Sequence, residues 1–405
     1  MLRNRRIFLI ATLIDALGSG LWVPFALLFL VHGQGMGLLD AGTSLSTGAL
    51  LALVSGPATG AAMDRFGPRA LLVAGNVVRL VAFSAYPLVH TSWQVIAVSV
   101  VAGFGDRLFW TCNAPMVARL TSGSETDRML ATPTVGRFAG AGIGAAATAV
   151  LPTITSPWAF HLLAYVNAAS FALAAVLIRL LPPSGGPEAE LSRESSASGS
   201  WRAVLTDRPF MGFCVTHTAF TLASASKFAV LPIVVRDLLH GPQWIAGTAI
   251  TLGTVVVVTT QRPIVALLAG RSRTAALIGA ATLFAVSFAL LIPLEMVPLR
   301  VAAGLILVTS LGFSVAEAMF GPTGTATAAA AAPAGAEGRA SSIFQLSWGL
   351  PVALAPGLLA VLLSVSNALT WSVLALTCAA AIPALLVLRR KLPGALREPS
   401  PAVAA

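Results

Sequence analysis

Long apolar runs, separated by short polar or basic segments, recur along the whole chain. A helix of about 20 residues crosses a hydrocarbon layer of about 30 Å, and the runs reach that length. Lipid offers the backbone no hydrogen-bonding partner, so unbroken runs predict helices, whereas a barrel would show alternating segments of about 10 residues. We therefore predict an all-α membrane protein with twelve transmembrane helices, near residues 7–31, 42–63, 69–89, 92–118, 130–151, 158–180, 209–233, 243–268, 274–294, 297–320, 339–364 and 367–388.

The longest polar stretch divides these spans into two sets of six. Residues 182–208 are rich in Pro, Gly and Ser and carry mixed charge, which is the composition of a flexible linker. The predicted organisation is an N-terminal six-helix bundle over residues 1–181, a cytoplasmic linker over 182–208, a C-terminal six-helix bundle over 209–391 and a cytoplasmic tail over 392–405.

The two halves also resemble each other in sequence. AGTSLSTG at residues 41–48 is echoed by AGTAITLG at residues 246–253. Three further matches keep the same order and nearly the same offset: Pro24 with Pro232, His32–Gly33 with His240–Gly241, and Pro57 with Pro263. Four matches at nearly one offset favour an internal duplication, which predicts two pseudo-symmetric bundles. Parallel six-helix repeats are a known plan of secondary transporters.

Composition and charge agree with a membrane protein. The mean hydropathy is +0.86 and only 10% of residues are charged, whereas soluble domains are about a quarter charged. A formal net charge of +10 also occurs in nucleic-acid binders. With the N-terminus inside, however, the outer loops carry only Arg236 and Arg300 among the basic residues. This follows the positive-inside rule. It predicts a multi-pass protein of the cell membrane with both termini cytoplasmic, the lipid bilayer as partner and no nucleic acid.

Several other classes of protein are disfavoured. The first apolar run extends to Val31, which is longer than the about 7–15 residues of the apolar region in a signal peptide, and is interpreted as an uncleaved helix. Cys112, Cys214 and Cys378 fall within predicted spans and have no metal-ligand spacing. The sequence has no glycine-rich phosphate loop that ends in Lys-Ser/Thr. We expect no metal site, no cofactor and no enzymatic activity.

The segment between predicted spans two and three reads GAAMDRFGPRA, residues 60–70. It resembles the signature G-x-x-x-D-R-x-G-R-[RK] of the major facilitator superfamily, although Pro68 intervenes before the last arginine. The resemblance extends over the twelve spans, the duplicated halves and the central linker. It implies a cytoplasmic gating motif that governs conformational switching and consists of Gly60, Asp64, Arg65, Gly67 and Arg69.

The same resemblance assigns the spans to positions in the fold. It implies that spans one, four, seven and ten line a central cavity, whereas span three faces lipid. Arg79, in span three, is therefore expected to be structural. Weaker similarity to drug/proton antiporters comes from Arg107 in span four and from the glycine-rich run GRFAGAGIGAAA, residues 136–147, in span five.

Charged residues inside the spans are scarce, and each costs about 2.5–3.5 kcal/mol at the bilayer centre on insertion scales. Most of them fall on the cavity-lining spans, on polar stripes at helical spacing. We predict that Asp15, Glu317, Asp106, Arg107 and Arg137 take part in proton coupling. The residues expected to line a substrate cavity are Trp22, Phe25, Trp110, Asn113, His217, Phe220, Ser224, Lys227 and Trp348.

Alternatives stay open at several of these positions. Asp106 and Arg107 are adjacent and point about 100° apart on a helix, so one of them would instead form a structural pair with Asp15 or Arg137. Lys227 is interpreted as a substrate or gating contact, with Glu317 as its counter-charge. The alternative is that its side chain extends to the outer interface. The tryptophans within the spans would equally serve core packing.

These patterns predict a monomeric, proton-coupled secondary transporter that works by alternating access. Its predicted task is the export of a small amphipathic or hydrophobic compound, a drug or secondary metabolite, with protons and that compound as its partners. One alternative is a proton symporter that imports a sugar, an amino acid or an organic anion. A second alternative, from another class, is a non-transporting membrane scaffold or sensor on the same fold.

Overall fold

The computed structural model describes residues 2–120, 124–150, 157–182, 201–268, 271–333 and 336–392. Within these ranges the chain forms twelve long helices. The first six are α1 Leu2–Trp22, α2 Leu38–Leu53, α3 Gly56–Ala85, α4 Ser92–Leu120, α5 Ser124–Val150 and α6 Pro157–Arg179. A short helix, Trp201–Thr206, precedes α7 Arg208–Ile233, α8 Trp244–Leu268, α9 Arg273–Leu291, α10 Leu299–Ala331, α11 Glu337–Val365 and α12 Asn367–Lys391.

The predicted fold class, an all-α membrane protein, is confirmed. Among the described residues, ten helices are long and apolar enough to cross a membrane. Leu38–Leu53 is a shorter apolar helix of 16 residues. Apolar residues lie on the surface of many of these helices, as lipid-facing positions require.

The boundary between the second and third predicted spans differs from the expectation. Helix α2 ends at Leu53, and the rest of the predicted second span belongs to α3. Two helical segments of α3 meet at Gly67, whose φ of 78° and ψ of 159° lie outside the helical region. Glycine reaches this conformation without the steric penalty that a Cβ brings, and Pro68 then starts the second segment. The predicted loop is thus a one-residue corner.

Two helix ends are irregular at matching places in the sequence repeat. After α1, a 3₁₀ turn over Val23–Phe25 contains Pro24, and a π-helical segment follows at Phe29–Gly33. Helix α7 contains Pro232 and continues into a π-helical segment at Val234–Leu238. Proline removes one backbone donor of the ladder. The π-helical bonding starts two residues after Pro232, and after Pro24 it starts beyond the short helix Ala26–Leu28.

The chain groups into two compact units. The first comprises Met1–Gly185, Phe228–Thr251 and Pro356–Ser364. Inside it α1 packs against α5 and α6, while α4 packs against α2 and α3. Helices α1 and α5 approach so closely at Gly140 that a Cβ on this residue would overlap the carbonyl oxygen of Leu17. This closeness brings the polar side chains of α1 and α5 into one region.

The second unit comprises Gly186–Lys227, Leu252–Ala355 and Val365–Ala405. Helix α9 packs against α10 and α12 there, through a buried aromatic group that includes Phe284, Phe288 and Trp371. The predicted bundle boundaries stay predictions. Residues 183–200 of the predicted linker and 393–405 of the predicted tail lie outside the described residues.

Candidate functional site

A buried ion pair joins α1 and α3 at membrane depth. Both guanidinium Nη atoms of Arg79 donate to the Asp15 carboxylate, Nη1 at 3.0 Å from Oδ1 and Nη2 to Oδ2. Arg79 Nη2 also donates to Asn76 Oδ1 at 3.1 Å. The Arg79 guanidinium lies over the rings of Phe109 and Phe171. Asp15, predicted to carry protons, is therefore held by a two-pronged arginine contact in a water-poor setting.

A second, more open ion pair continues from the first. Arg137 Nη2, on α5, donates to Asp106 Oδ1, on α4, at 2.7 Å. The same carboxylate oxygen is 3.6 Å from Arg79 Nη1, so Asp106 lies between two arginines. The Arg137 guanidinium is 5.0 Å from the centre of the Trp110 ring. Arg107 is half-buried and interacts electrostatically with Asp106.

The structure therefore brings Asp15, Asp106 and Arg137 together, and Arg79 is the side chain that connects them. Sequence reasoning considered pairs within this cluster but placed Arg79 apart, on a helix expected to face lipid. Arg79 is 2% exposed. The scarcity of charge within the spans could have indicated that Arg79 belongs to the cluster, since a charge buried in the membrane needs a partner of opposite sign.

A different carboxylate site lies between α7 and α10 in the second unit. The hydroxyl of Ser224 donates to Glu317 Oε1. One helical turn further along α7, Lys227 Nζ donates to Ser314 Oγ at 3.4 Å. Lys227 and Glu317 interact electrostatically, and both side chains are buried. Lys227 therefore does not extend to the outer interface, and the predicted link with Glu317 has a structural basis.

Gly253, on α8, makes room for this lysine. A Cβ built there would overlap the Lys227 ammonium and would come within 2.8 Å of Ser314 Oγ. Sequence reasoning singled out Gly253 only as part of the repeated AGTAITLG segment. It did not identify Ser314 as the partner of Lys227, although both residues belong to polar stripes at helical spacing.

His217 connects α7 to α11 through a serine. Ser347 Oγ donates to the carbonyl of Phe344 at 2.6 Å, so the same oxygen accepts from His217 Nδ1 at 2.9 Å. Thr221 Oγ1 donates to the Ser347 carbonyl at 2.7 Å. Nε2 of His217 has no hydrogen-bonding partner among the described residues.

Aromatic rings surround this histidine. Trp348 and Phe344 have ring centres 5.3 Å and 4.6 Å from that of His217, and Phe320 stacks on both Phe220 and Trp348. His217, Phe220 and Trp348, all predicted to line a cavity, are thus brought together in the second unit.

Three other residues that were predicted to line the cavity, Trp22, Phe25 and Asn113, are buried in the first unit. Trp22 packs in an aromatic cluster with Phe29, Phe83 and Tyr86, at ring distances of 5.0–5.2 Å. Phe25 belongs to the same buried core. Asn113 is 3% exposed, and its Oδ1 has no hydrogen-bonding partner among the described residues.

The residues of the predicted gating motif lie on α3, around its corner. Arg69 Nη2 donates to the carbonyl of Arg179 at 2.6 Å, which satisfies a free carbonyl at the C-terminal end of α6. The Arg65 guanidinium lies over the Phe66 ring at 5.3 Å. Gly67 forms the corner itself. Gly60 and the Asp64 side chain lie outside what the structure describes.

One contact near the ends of α1 and α7 was not predicted. His32 Nε2 is 2.9 Å from Asp237 Oδ1, and both side chains are partly exposed. The residues lie in the two π-helical segments that follow Pro24 and Pro232. The described part of the chain contains no group of three His, Cys, Asp or Glu residues that could hold a metal ion.

Helices of membrane-spanning length with ion pairs at membrane depth define a multi-pass membrane protein. A sequence profile of the Major Facilitator Superfamily matches residues 8–356. The chain belongs to the Major Facilitator Superfamily.

Relatives and solved structures agree with this family. The chain is 27% identical over 234 residues to the multidrug resistance protein MdtH of Edwardsiella ictaluri, and the match covers 58% of this chain and 56% of that protein. For MdtH of Yersinia pestis the identity is 28% over 225 residues, covering 55% and 54%. The chain thus spans about half the length of the curated relatives it matches.

Two crystal structures share the fold. A POT family transporter in complex with 5-aminolevulinic acid gives a TM-score of 0.76 at 13% identity, covering 97% of this chain and 96% of the other. The nucleoside transporter NupG gives a TM-score of 0.71 at 13% identity, covering 95% and 98%. Family and relatives are transporters by name rather than enzymes.

Proposed function

We propose that this protein is a proton-coupled secondary transporter that exports a small amphipathic or hydrophobic compound by alternating access. The multidrug resistance relatives support a substrate of this kind. Proton coupling is supported by the environment of Glu317. Its carboxylate is buried on α10 and accepts a hydrogen bond from the neutral hydroxyl of Ser224.

Glu317 suits proton transfer better than the other two membrane carboxylates do. Asp15 is bound by both Nη atoms of Arg79, and Asp106 lies between Arg137 and Arg79. Protonation of Asp15 or Asp106 would break an ion pair in which an arginine donates directly to the carboxylate, which is costly. Protonation of Glu317 leaves Lys227 its hydrogen bond to Ser314 Oγ. A serine hydroxyl can donate to an ionised carboxylate and accept from a protonated one. Ser224 can therefore accompany Glu317 through both protonation states.

Lys227 is the group through which the protonation of Glu317 would be sensed. When Glu317 is ionised, the two charges attract each other within a medium of low dielectric constant. When Glu317 takes up a proton, that attraction is lost and the ammonium is held by Ser314 Oγ and its other contacts. Lys227 thus acts as a gating or substrate contact.

The arrangement in the cell follows from the charge pattern. The distribution of basic residues supports a cell-membrane protein with both termini and the α3 corner on the cytoplasmic side. Gly60, Asp64, Arg65, Gly67 and Arg69 would govern conformational switching there, and the transporter would act as a monomer.

Everted membrane vesicles test the coupling. Fluorescein, ethidium and Nile red provide one anionic, one cationic and one neutral amphipathic probe. Vesicles with an acidic interior should accumulate at least one probe without ATP, and a protonophore should abolish the accumulation. Glu317→Gln should lower gradient-driven accumulation by at least about tenfold, the order of magnitude expected for loss of a proton-transfer group. The exchange of labelled against unlabelled probe without a gradient should persist.

Glu295→Gln is the matched control, because Glu295 is exposed in the 3₁₀ helix Ile292–Met296 that follows α9. It should behave as the unchanged protein does. If Glu317→Gln keeps full gradient-driven accumulation, Glu317 is not the coupling group. If acidic exteriors rather than acidic interiors drive uptake into these vesicles, the direction of coupling is symport.

A further inference from the structure

Arg137, Asp106 and Trp110 form an accessible polar surface in the first unit. Their side chains are 26%, 29% and 38% exposed, respectively, whereas Asp15 and Arg79 directly behind them are 1% and 2% exposed. A charge in contact with lipid at this depth is strongly unfavourable. The exposed edge of the Asp106–Arg137 pair therefore belongs to a face that water or a ligand reaches.

This surface has spare hydrogen-bond donors. Among the residues that the structure describes, the hydrogen bond from Arg137 to the Asp106 carboxylate uses Nη2 alone. Its Nε is shielded from solvent and has no hydrogen-bonding partner among the described residues. A guanidinium presents a planar fork of donors that matches two oxygens of one anion. Arg137 can therefore hold an additional acceptor.

Asp106 does not depend on Arg137 alone. Its Oδ1 is also 3.6 Å from Arg79 Nη1, so Asp106 keeps a counter-charge if Arg137 turns towards another anion. Asp106 is then not left as an unpaired charge. Opening an ion pair is strongly unfavourable when one partner is left unpaired, and here neither is.

The balance of charge favours an anion. Arg79, Arg107 and Arg137 surround Asp15 and Asp106, so the cluster has one more positive than negative charge when all five groups are ionised. A monoanion would neutralise this excess, whereas a cation would increase it. The Trp110 ring, which already covers the Arg137 guanidinium, offers an apolar surface beside the charge.

We propose that Arg137 and Trp110 form a substrate subsite for the anionic group of an aromatic amphipathic monoanion, such as a carboxylate or sulfonate. The anion takes the Arg137 donors, Asp106 stays with Arg79, and the aromatic part of the substrate packs on Trp110. This proposal rests on the proposed transport function and specifies that the transported compound is an anion.

Ligand binding to the purified full chain in detergent tests the subsite without any gradient. Naphthoate, naphthamide and naphthylmethylammonium share one ring system and differ in charge, and tryptophan fluorescence reports their binding. Naphthoate should bind at least about tenfold more tightly than either of the others, as expected for one charge-assisted contact. Arg137→Gln should remove this preference and leave the affinity for naphthamide unchanged.

Two further variants separate recognition from structure. Asp106→Asn should tighten naphthoate binding, because the carboxylate that competes for Arg137 is lost. Arg119→Gln, at the exposed end of α4, should change nothing. If Arg137→Gln does not fold, two measurements still test the subsite: the charge preference of the unchanged protein and the direction of the Asp106→Asn effect. Equal affinity for the three probes, a preference for the ammonium, or weaker naphthoate binding in Asp106→Asn would overturn the proposal. Loss of coupling in Glu317→Gln would stand independently of all these results.

Discussion

Charged side chains at membrane depth differ most in the partners they have. Arg79 gives Asp15 two charged donors, whereas Ser224 gives Glu317 one neutral donor. The first arrangement is stable only while both groups stay ionised. The second allows a change of protonation state, because Ser224 can accept as well as donate and Lys227 keeps its hydrogen bond to Ser314 Oγ. Two carboxylates with similar burial therefore have different predicted roles, structural for Asp15 and proton-carrying for Glu317.

The structural role of Arg79 predicts a large loss of stability. Arg79→Gln leaves Asp15 buried without its counter-charge, and breaking such a pair costs about 3–5 kcal/mol. The free energy of unfolding, measured by denaturant titration in detergent micelles, should fall by that amount. Arg300→Gln, at an exposed arginine, should change it by less than about 0.5 kcal/mol.

Coupling between the two partners provides a further check. Arg79→Gln combined with Asp15→Asn should cost clearly less than the sum of the two single changes, because no charge is left unpaired. Additive costs would contradict a direct ion pair between these residues.

Gly253 is predicted to position Lys227. In Gly253→Ala the new methyl group would meet the ammonium and Ser314 Oγ, so the lysine must move. Overpacking of this kind costs about 1–3 kcal/mol, and gradient-driven probe accumulation should fall as well. Gly304→Ala on α10 is the matched control, since a Cβ there would meet no atom within 4 Å.

Gly304→Ala should be neutral or slightly stabilising, because alanine favours the helix by up to about 1 kcal/mol. Equal effects of the two alanine substitutions, on thermal stability and on accumulation, would show that space beside Lys227 is not what Gly253 provides.

At the scale of elements, prolines and one glycine determine where the helices deviate from ideal geometry. Pro24 and Pro232 each precede a π-helical segment, and these two segments contain His32 and Asp237, which are in contact. The α3 corner at Gly67 joins two helical segments without a loop. Arg69, just beyond the corner, donates to the last carbonyls of α6. The corner is therefore tied to a neighbouring helix end.

Gly67→Ala tests the corner. A φ of 78° with a ψ of 159° is strained for any residue with a Cβ, at a cost of about 1–3 kcal/mol. The melting temperature should fall accordingly. Gly56→Ala, at the start of the same helix and with open space around its Cβ position, should have little effect. An unchanged melting temperature in Gly67→Ala would mean that the corner is not fixed as described.

The elements could be predicted from the sequence because lipid constrains the length and apolarity of every span. The end of the second span could not, since its final turns are helical on both sides of Gly67 and hydropathy does not register a one-residue corner. Residues of the site were predicted on the correct helices. Their partners were not, because the Arg79–Asp15 contact depends on how α1 and α3 pack, which no spacing along one helix reveals.

For the molecule as a whole, family and fold follow from similarity that extends along most of the chain. The family profile matches residues 8–356, and solved transporters share the fold at 13% identity. At that identity the likeness concerns architecture alone. The drug-resistance relatives align over about half of their length. The charges in the membrane therefore provide the more specific guide to coupling and substrate.

We propose that substrate movement and proton movement are linked through this chain. Purified protein in proteoliposomes loaded with a pH-sensitive dye tests it most directly, with fluorescein, ethidium and Nile red as probes and no pH gradient imposed. Efflux of a transported probe down its own gradient should acidify the lumen in the unchanged protein and in Glu295→Gln, but not in Glu317→Gln. Probe efflux without any change of luminal pH in the unchanged protein would contradict proton coupling.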